Sequence, residues 1–421
     1  MKFALHSLCN GSECTWVYDT ATSEVFDDQG QLQFAHYPSG DYKPVTPFTR
    51  ELNLNKKGQT NNLLEISLGF NCNYECVYCS QNRLRGKAYS SKPSDVEPFI
   101  KQLKDSGIKP TKIQLWGGEP LVYWKTCLLL IPELRALYPD CYISIVTNGS
   151  LLDRAKVDFL AKYDIQLFIS HDGPNNQQRT HDVLADEKVV DAVKYSFAKY
   201  GYGSVVFGTT LGKGNTDVIK VAKYFNDFFD CKDYQIQVGV HNVARCHDSK
   251  DLNQVLACKI PQEDLEIYSS TIFEALMSPH YNYYGCQSLC YRLDNAAETI
   301  INKEPITSVR AECCMPFSDG LLTDMKGNIL TCHNHATQEY TCGHLSELDK
   351  VHGIGYNYWA NKKRCRECPM IHFCKGGCPS ADDRANELAC PNLYALYLGI
   401  FRALFGKLFG IYVKTIERIG Q

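Results

Sequence analysis

From residue 62 to about 240 the chain alternates between two hydrophobic patterns. Short, mostly apolar runs at 63–68, 112–116, 142–146, 165–170, 203–210 and 234–240 read as strands. Between them, apolar residues recur at helical spacing and predict helices over 96–105, 128–137, 154–163, 188–199 and 217–228. Six such βα units predict a parallel sheet with right-handed crossovers. Polar motifs follow the strands. Cys72 to Cys79 comes after the first, Gly117-Gly118-Glu119-Pro120 after the second and Thr147-Asn148-Gly149 after the third. Ser170-His171-Asp172-Gly173-Pro174 follows the fourth, and His241-Asn242-Val243-Ala244-Arg245 follows the sixth. Barrels of α/β type build their active sites at these strand ends.

The two ends carry weaker patterns. Short alternating stretches at 2–8, 15–18 and 31–35 predict a small β-rich region over 1–61 that caps the barrel. A sheet edge that captures an extended peptide by strand addition is the sharper alternative there. Tyr394, Tyr397, Phe401, Leu404, Phe405, Leu408, Phe409 and Tyr412 recur at helical spacing and predict an amphipathic helix over 396–421. Packing on the chain's own barrel is the plain reading of that stripe, with a partner or membrane surface as the other. A barrel over 62–290 and a cysteine-rich unit over 291–395 complete the expected division.

Composition narrows the function classes. At 421 residues and 44% apolar the chain can bury a sizeable core. A net charge of −3 gives no basic footprint for nucleic acid, and no stretch reads as a membrane span. The 21 cysteines follow a start, Met1-Lys2-Phe3-Ala4-Leu5-His6, that lacks an export pattern. The expectation is metal–thiolate chemistry in a reducing cytoplasm.

Ten cysteines fall into two spaced sets. Cys72, Cys76 and Cys79 form a C-x₃-C-x₂-C run, enough to hold three corners of a cubane cluster and leave one iron open. The second set runs Cys314-x₁₂-Gly327-x₄-Cys332, then Cys365-x₂-Cys368-x₅-Cys374-x₃-Cys378, and ends at Cys390. In isolation its middle part could be a zinc ribbon. Residues 321–330 read as a hairpin around Gly327 that would bring Cys314 and Cys332 together. Remaining cysteines such as Cys127, Cys141 and Cys231 are most simply core residues.

The first run, with Tyr78 before its last cysteine, resembles the cluster motif of the radical SAM superfamily. The second resembles the seven-cysteine pattern of the SPASM domain, glycine included, and together they cover roughly residues 62–395. The resemblance implies an α/β fold, a partial (β/α)₆ TIM barrel, with a C-terminal SPASM domain. It implies S-adenosylmethionine and three [4Fe–4S] clusters, one on Cys72, Cys76 and Cys79. Cys314, Cys332 and Cys378 would then hold auxiliary cluster I, and Cys365, Cys368, Cys374 and Cys390 auxiliary cluster II. The fourth ligand of cluster I would be Cys313, Cys290 or Cys286, or an open site.

Glu119, beside Gly117 and Gly118, would hold the methionine amine, and Tyr78 would stack on the adenine. Asn148 lies among the cofactor contacts, Ser170 would meet the ribose or carboxylate, and Asp172 would either touch cofactor or stabilise its turn. The family often continues with H-D-x-x-R, whose arginine pairs with the cofactor carboxylate. Here His181-Asp182-Val183-Leu184-Ala185 has no arginine, and Arg179 or a residue on a later strand would substitute. His333 stands where sulfatase maturases place a basic aspartate, and is a candidate catalytic base. Alternatively, His333 and His335 support auxiliary cluster I.

The implied activity is a radical SAM oxidoreductase that makes a 5′-deoxyadenosyl radical and abstracts hydrogen from a side chain of a ribosomally made precursor peptide. The product would be a carbon–carbon (cyclophane-type) or thioether crosslink. A flavodoxin or ferredoxin would be the donor. Alternatives are maturation of an enzyme active-site residue, as in anaerobic sulfatase maturases, chemistry on a small molecule or carbohydrate, and a non-catalytic iron–sulfur electron carrier.

Overall fold

The computed structural model describes residues 1–37, 40–41, 62–86, 89–231, 235–242, 256, 259–279, 286–310, 313, 320–332, 341–351, 359–379 and 381–420. Strands β1 (Lys2–Cys9), β2 (Ser12–Asp19) and β3 (Glu24–Phe26) form an antiparallel sheet at the start of the chain. Six parallel strands follow in register: β4 (Leu63–Ser67), β5 (Lys112–Trp116), β6 (Tyr142–Thr147), β7 (Ile165–Ser170), β8 (Val205–Leu211) and β9 (Gln237–Asn242). The last two begin two to three residues later than the apolar runs suggest.

Helices α1 (Val96–Ser106), α2 (Trp124–Leu137), α3 (Arg154–Lys162), α4 (Glu187–Tyr200) and α5 (Val218–Phe228) connect them. Asp153, Asp186 and Asp217 cap α3, α4 and α5 by accepting from early backbone N–H groups. Strand alternation sets the layers. Ile165, Leu167 and Ile169 of β7 are buried toward the helices, while Gln166, Phe168 and Ser170 are half-buried on the other face. In register, Glu65, Gln114, Ser144 and Gln166 make one row of that inner face. Higher up, Ser170 lies beside Gly208, and Gly208 beside Gly239.

The hairpin around Gly327 forms as β10 (Gly320–Asp324) and β11 (Asn328–Leu330), with Gly327 at φ +89°. Strand β10 pairs in parallel with β4, and β11 pairs with a further strand, β12 (Thr341–His344). The barrel sheet therefore runs to nine strands, and the segment leading to Cys332 is continuous with the strand that leads to Cys72.

The expected helix over 396–421 is corrected at both ends. Helix α6 (Leu265–Met277) and helix α7 (Gln287–Ile301) precede a long α8 that runs Asp383–Phe409, so Cys390 lies inside it. Gly410 ends α8 at φ +70°, a left-handed cap that costs glycine nothing. The last residues are then a strand, β13 (Ile411–Ile419), antiparallel to β1 from Lys2↔Ile419 to Cys9↔Ile411. One edge of the N-terminal sheet is thus filled by the chain's own C-terminal strand. The aromatic stripe of α8 faces that sheet: Tyr18 lies 5.8 Å from Phe401, and Trp16 lies 5.2 Å from Phe409.

By length and composition α8 could cross a membrane, contrary to the expectation that no stretch could. However, 67% of its most apolar window is buried inside the fold. Gly399 allows the close approach of α6, since a Cβ there would lie 2.5 Å from the Ser269 carbonyl oxygen.

Candidate active site at the mouth of the barrel

The cysteine loop after β4 is held from three sides. Gly118 N–H donates to the Gly69 carbonyl (2.8 Å) and Glu119 N–H to the Asn71 carbonyl (2.9 Å). A Cβ on Gly117 would lie 2.4 Å from the Gly69 oxygen, and one on Gly118 would lie 2.3 Å from the Asn71 oxygen. The two glycines therefore make room for the backbone that enters the cysteine loop. Asn148 reaches the loop from β6, donating to Asn73 Oδ1 (2.9 Å) and toward Cys72 Sγ (3.8 Å). From beyond β7, the Gln178 carbonyl accepts from Val77 N–H (2.8 Å), and Thr180 Oγ1 accepts from Glu75 N–H.

Glu119 is fully buried. Its Oε1 accepts from Leu121 N–H (2.8 Å) and Thr147 Oγ1 (2.6 Å), and its Oε2 from Asn148 N–H (2.6 Å). Burial raises its pKa, and these three donors pull it back. A carboxylate offers about four acceptor positions, so three donors leave one for a further N–H group.

The segment after β7 also carries Arg179 into the site. Its guanidinium donates to Tyr78 Oη (2.7 Å), and Tyr78 Oη donates to Asp172 Oδ2 (2.7 Å). Arg179 and Asp172 lie 3.9 Å apart, both nearly inaccessible. Burial opposes the guanidinium charge, but Tyr78, Asp172 and Cys76 outweigh it and hold Arg179 protonated. Asp172 also accepts from Thr210 N–H (3.1 Å). Its carboxylate therefore ties the segment after β7 to β8 and faces the arginine. Ser170 ends β7 with a half-buried side chain at the same level.

His171 and Asp182 occupy the positions sequence reasoning left without a role. His171 is fully buried; its Nδ1 accepts from Gly173 N–H (3.0 Å), so Nε2 carries the proton donated to Asp182 Oδ1 (2.8 Å). That bond folds the segment bearing Arg179 back under the cysteine loop.

The donor set fits a cubane cluster. Burial pushes the Cys72 and Cys79 thiols up, and the three thiols are close enough to interact, Cys72 with Cys79 and Cys79 with Cys76. The Tyr74 N–H directed at Cys72 Sγ (3.4 Å) is a sulfur contact of the kind that tunes such clusters.

The second cysteine set is only partly placed. Cys365, Cys368 and Cys390 come together: Cys390 of α8 interacts with both others, and burial pushes the Cys368 thiol up to about 12. Cys374 and Cys378 flank Gly376 and Gly377, both at positive φ. Cys332 is buried just after β11, and Cys313 packs against Leu322 and Leu330. Cys286 is buried and Cys290 half-buried, beside Asp294 and Lys407. Cys314, His333 and His335 lie outside the described residues.

Residues 66–224 match the model of the radical SAM superfamily. The chain is similar to the radical SAM cyclopropyl synthase TigE of Paramaledivibacter caminithermalis, 23% identical over 372 residues, which is 80% of this chain and 71% of that protein. It is also similar to a cysteine-type anaerobic sulfatase-maturating enzyme of Clostridium perfringens, 22% identical over 367 residues, 81% of this chain and 95% of that protein. Among solved structures, native anSMEcpe with bound AdoMet shares the fold at a TM-score of 0.61 and 20% identity, covering 82% of this chain and 99% of that one. Residues 66–224 are therefore a radical SAM domain, and membership of that superfamily implies S-adenosylmethionine and a [4Fe–4S] cluster there.

Proposed function

We propose that this enzyme modifies a side chain of a peptide, forming a carbon–carbon or thioether crosslink in a ribosomally made precursor. The observation that carries its radical chemistry is the buried Arg179–Tyr78–Asp172 array beside Cys76, set at the same strand ends as Glu119. When bound, the cluster and S-adenosylmethionine supply the reductive cleavage that yields a 5′-deoxyadenosyl radical. The chain's residues orient the reactants. Arg179 takes the place of the missing family arginine and pairs with the cofactor carboxylate, a charge-assisted contact. The open acceptor position of Glu119 takes the methionine ammonium. Tyr78, its hydroxyl anchored, presents its ring to the adenine, and Ser170 meets the ribose. Asn148, Gly117 and Gly118 hold the cysteine loop in position.

Cys365, Cys368 and Cys390, with Cys374, are proposed to hold auxiliary cluster II, and Cys314, Cys332 and Cys378 auxiliary cluster I. Their role is to take the electron left on the substrate, or to anchor it. A flavodoxin or ferredoxin is the proposed donor. The proposed peptide class draws support from a solved structure of the same fold, native anSMEcpe with bound AdoMet and Cp18Cys peptide (TM-score 0.59).

Similarity over most of the chain to a sulfatase maturase favours a second reading, maturation of an enzyme active-site residue, in which His333 would act as base. The test incubates reduced enzyme and S-adenosylmethionine with a sulfatase-motif peptide and with the short peptide encoded beside the gene. Loss of about two hydrogens from the neighbouring peptide, with fragmentation blocked between two residues, is the expected outcome. Formylglycine in the sulfatase peptide would establish the second reading instead.

A further inference from the structure

A buried lysine stands among the thiols of the second cysteine set. Lys362 is 6% exposed, and its Nζ donates to the Gly376 carbonyl (3.1 Å). Its own carbonyl accepts from Cys365 N–H (3.0 Å); burial lowers the pKa of its ammonium, and Cys365, Cys378 and Cys374 pull it back up. The carbonyl that holds it is itself fixed. Gly376 has φ +80°, and a Cβ there would lie 2.5 Å from Trp359 Cβ. Trp359 in turn donates its indole N–H to the Val309 carbonyl (3.0 Å).

Burial disfavours an ammonium unless negative charge faces it. Among its interactions that negative charge comes from thiols, and they belong to two different proposed clusters: Cys365 and Cys374 to one, Cys378 to the other. Arg364 also interacts with Cys365 but is exposed, so solvent screens its charge.

We propose that Lys362 is a positioning residue that raises the reduction potential of the auxiliary clusters. A fixed cation in a low-dielectric setting stabilises the reduced, more negative state of a cluster more than the oxidised one. A raised potential suits clusters that take an electron from substrate. The inference rests on the auxiliary-cluster reading given above.

The test uses full-length, anaerobically loaded protein and potentiometric titration followed by EPR. Lys362→Gln keeps an N–H donor for Gly376 and removes the charge, whereas Lys362→Arg keeps the charge. Auxiliary midpoint potentials should fall in the Gln variant and stay near their original values in the Arg variant. The barrel cluster should not move in either. Unchanged auxiliary potentials in an iron-replete Gln variant would overturn the inference alone. About four irons in the unaltered chain, instead of the roughly twelve of three cubanes, would overturn the auxiliary reading and the inference with it. If the Gln variant fails to fold, unaltered protein grown on ¹⁵N-lysine serves. Pulsed EPR of the reduced auxiliary clusters should show coupling to a lysine nitrogen, and its absence overturns the inference.

Discussion

Arg179 joins the protein's electrostatics to its chemistry. Because it neutralises Asp172 in the interior, Arg179→Gln should lower stability by about 3–5 kcal/mol, the usual cost of stranding a buried charge. Adding Asp172→Asn should restore most of that stability in thermal unfolding. Cofactor binding should stay weakened about ten- to hundred-fold in the double variant, the loss of one charge-assisted hydrogen bond, as read by equilibrium binding. Wild-type affinity in the double variant would remove Arg179 from the cofactor site. Asp182 carries a pH dependence. The His171 hydrogen bond holds its pKa below the ordinary carboxylate value, so its stabilising contribution is present above the unfolded pKa and fades as pH falls through the depressed one. Asp182→Asn should flatten the acid limb of a stability–pH profile at that point and leave neutral pH less affected. The cysteines, Glu119 and the lack of an H-D-x-x-R arginine were all legible in the chain. Whether Arg179 or a residue on a later strand meets the cofactor carboxylate was left open by the chain, because only the folding-back of 171–182 carries Arg179 to Tyr78.

At the scale of elements, the strand ends at this mouth are coupled through backbone contacts. Gly117 and Gly118 were read as bare backbone beside a carboxylate, and the structure gives them a steric duty as well. Gly118→Ala should displace the Asn71 carbonyl, cost about 1–3 kcal/mol as overpacking does, and distort the cysteine loop. Iron analysis should show selective loss of the barrel cluster, with S-adenosylmethionine cleavage abolished. Full loading in that variant would show that the loop yields without cost. Periodicity located the five crossover helices and the inner strands because each buries one face against the same core. It did not foresee that β10 would pair with β4 or that β12 would form. The β10–β4 pairing joins residues more than 250 positions apart, as in Gly320 with Leu63, and local pattern carries no information about such partners.

The whole molecule is closed by its two ends. Arg402 of α8 donates to the Val413 and Lys414 carbonyls of β13 (3.1 and 3.2 Å) and to Glu266 of α6 (2.6 Å), tying the final strand to the helix that bears Cys390. A chain ending at Gly410 would leave Arg402 buried without those carbonyls and bare the edge of β1. It should unfold at lower temperature and expose the N-terminal sheet to limited proteolysis; unchanged melting would show the last strand to be dispensable. Cys365→Ala with Cys368→Ala should separate two activities. 5′-Deoxyadenosine should still form, since the barrel site is intact, while crosslinked product is lost. Normal product from a folded variant would remove auxiliary cluster II from the reaction. By itself the sequence determined the barrel, its polar strand ends and the cysteine spacings, because periodicity and ligand spacing are local properties of a chain. Only tertiary structure decided that the C-terminal residues form a strand on β1, that α8 is a core helix, and that Lys362 and Arg179 face thiols. Those outcomes depend on which distant surfaces meet, and burial, not local propensity, sets their energies.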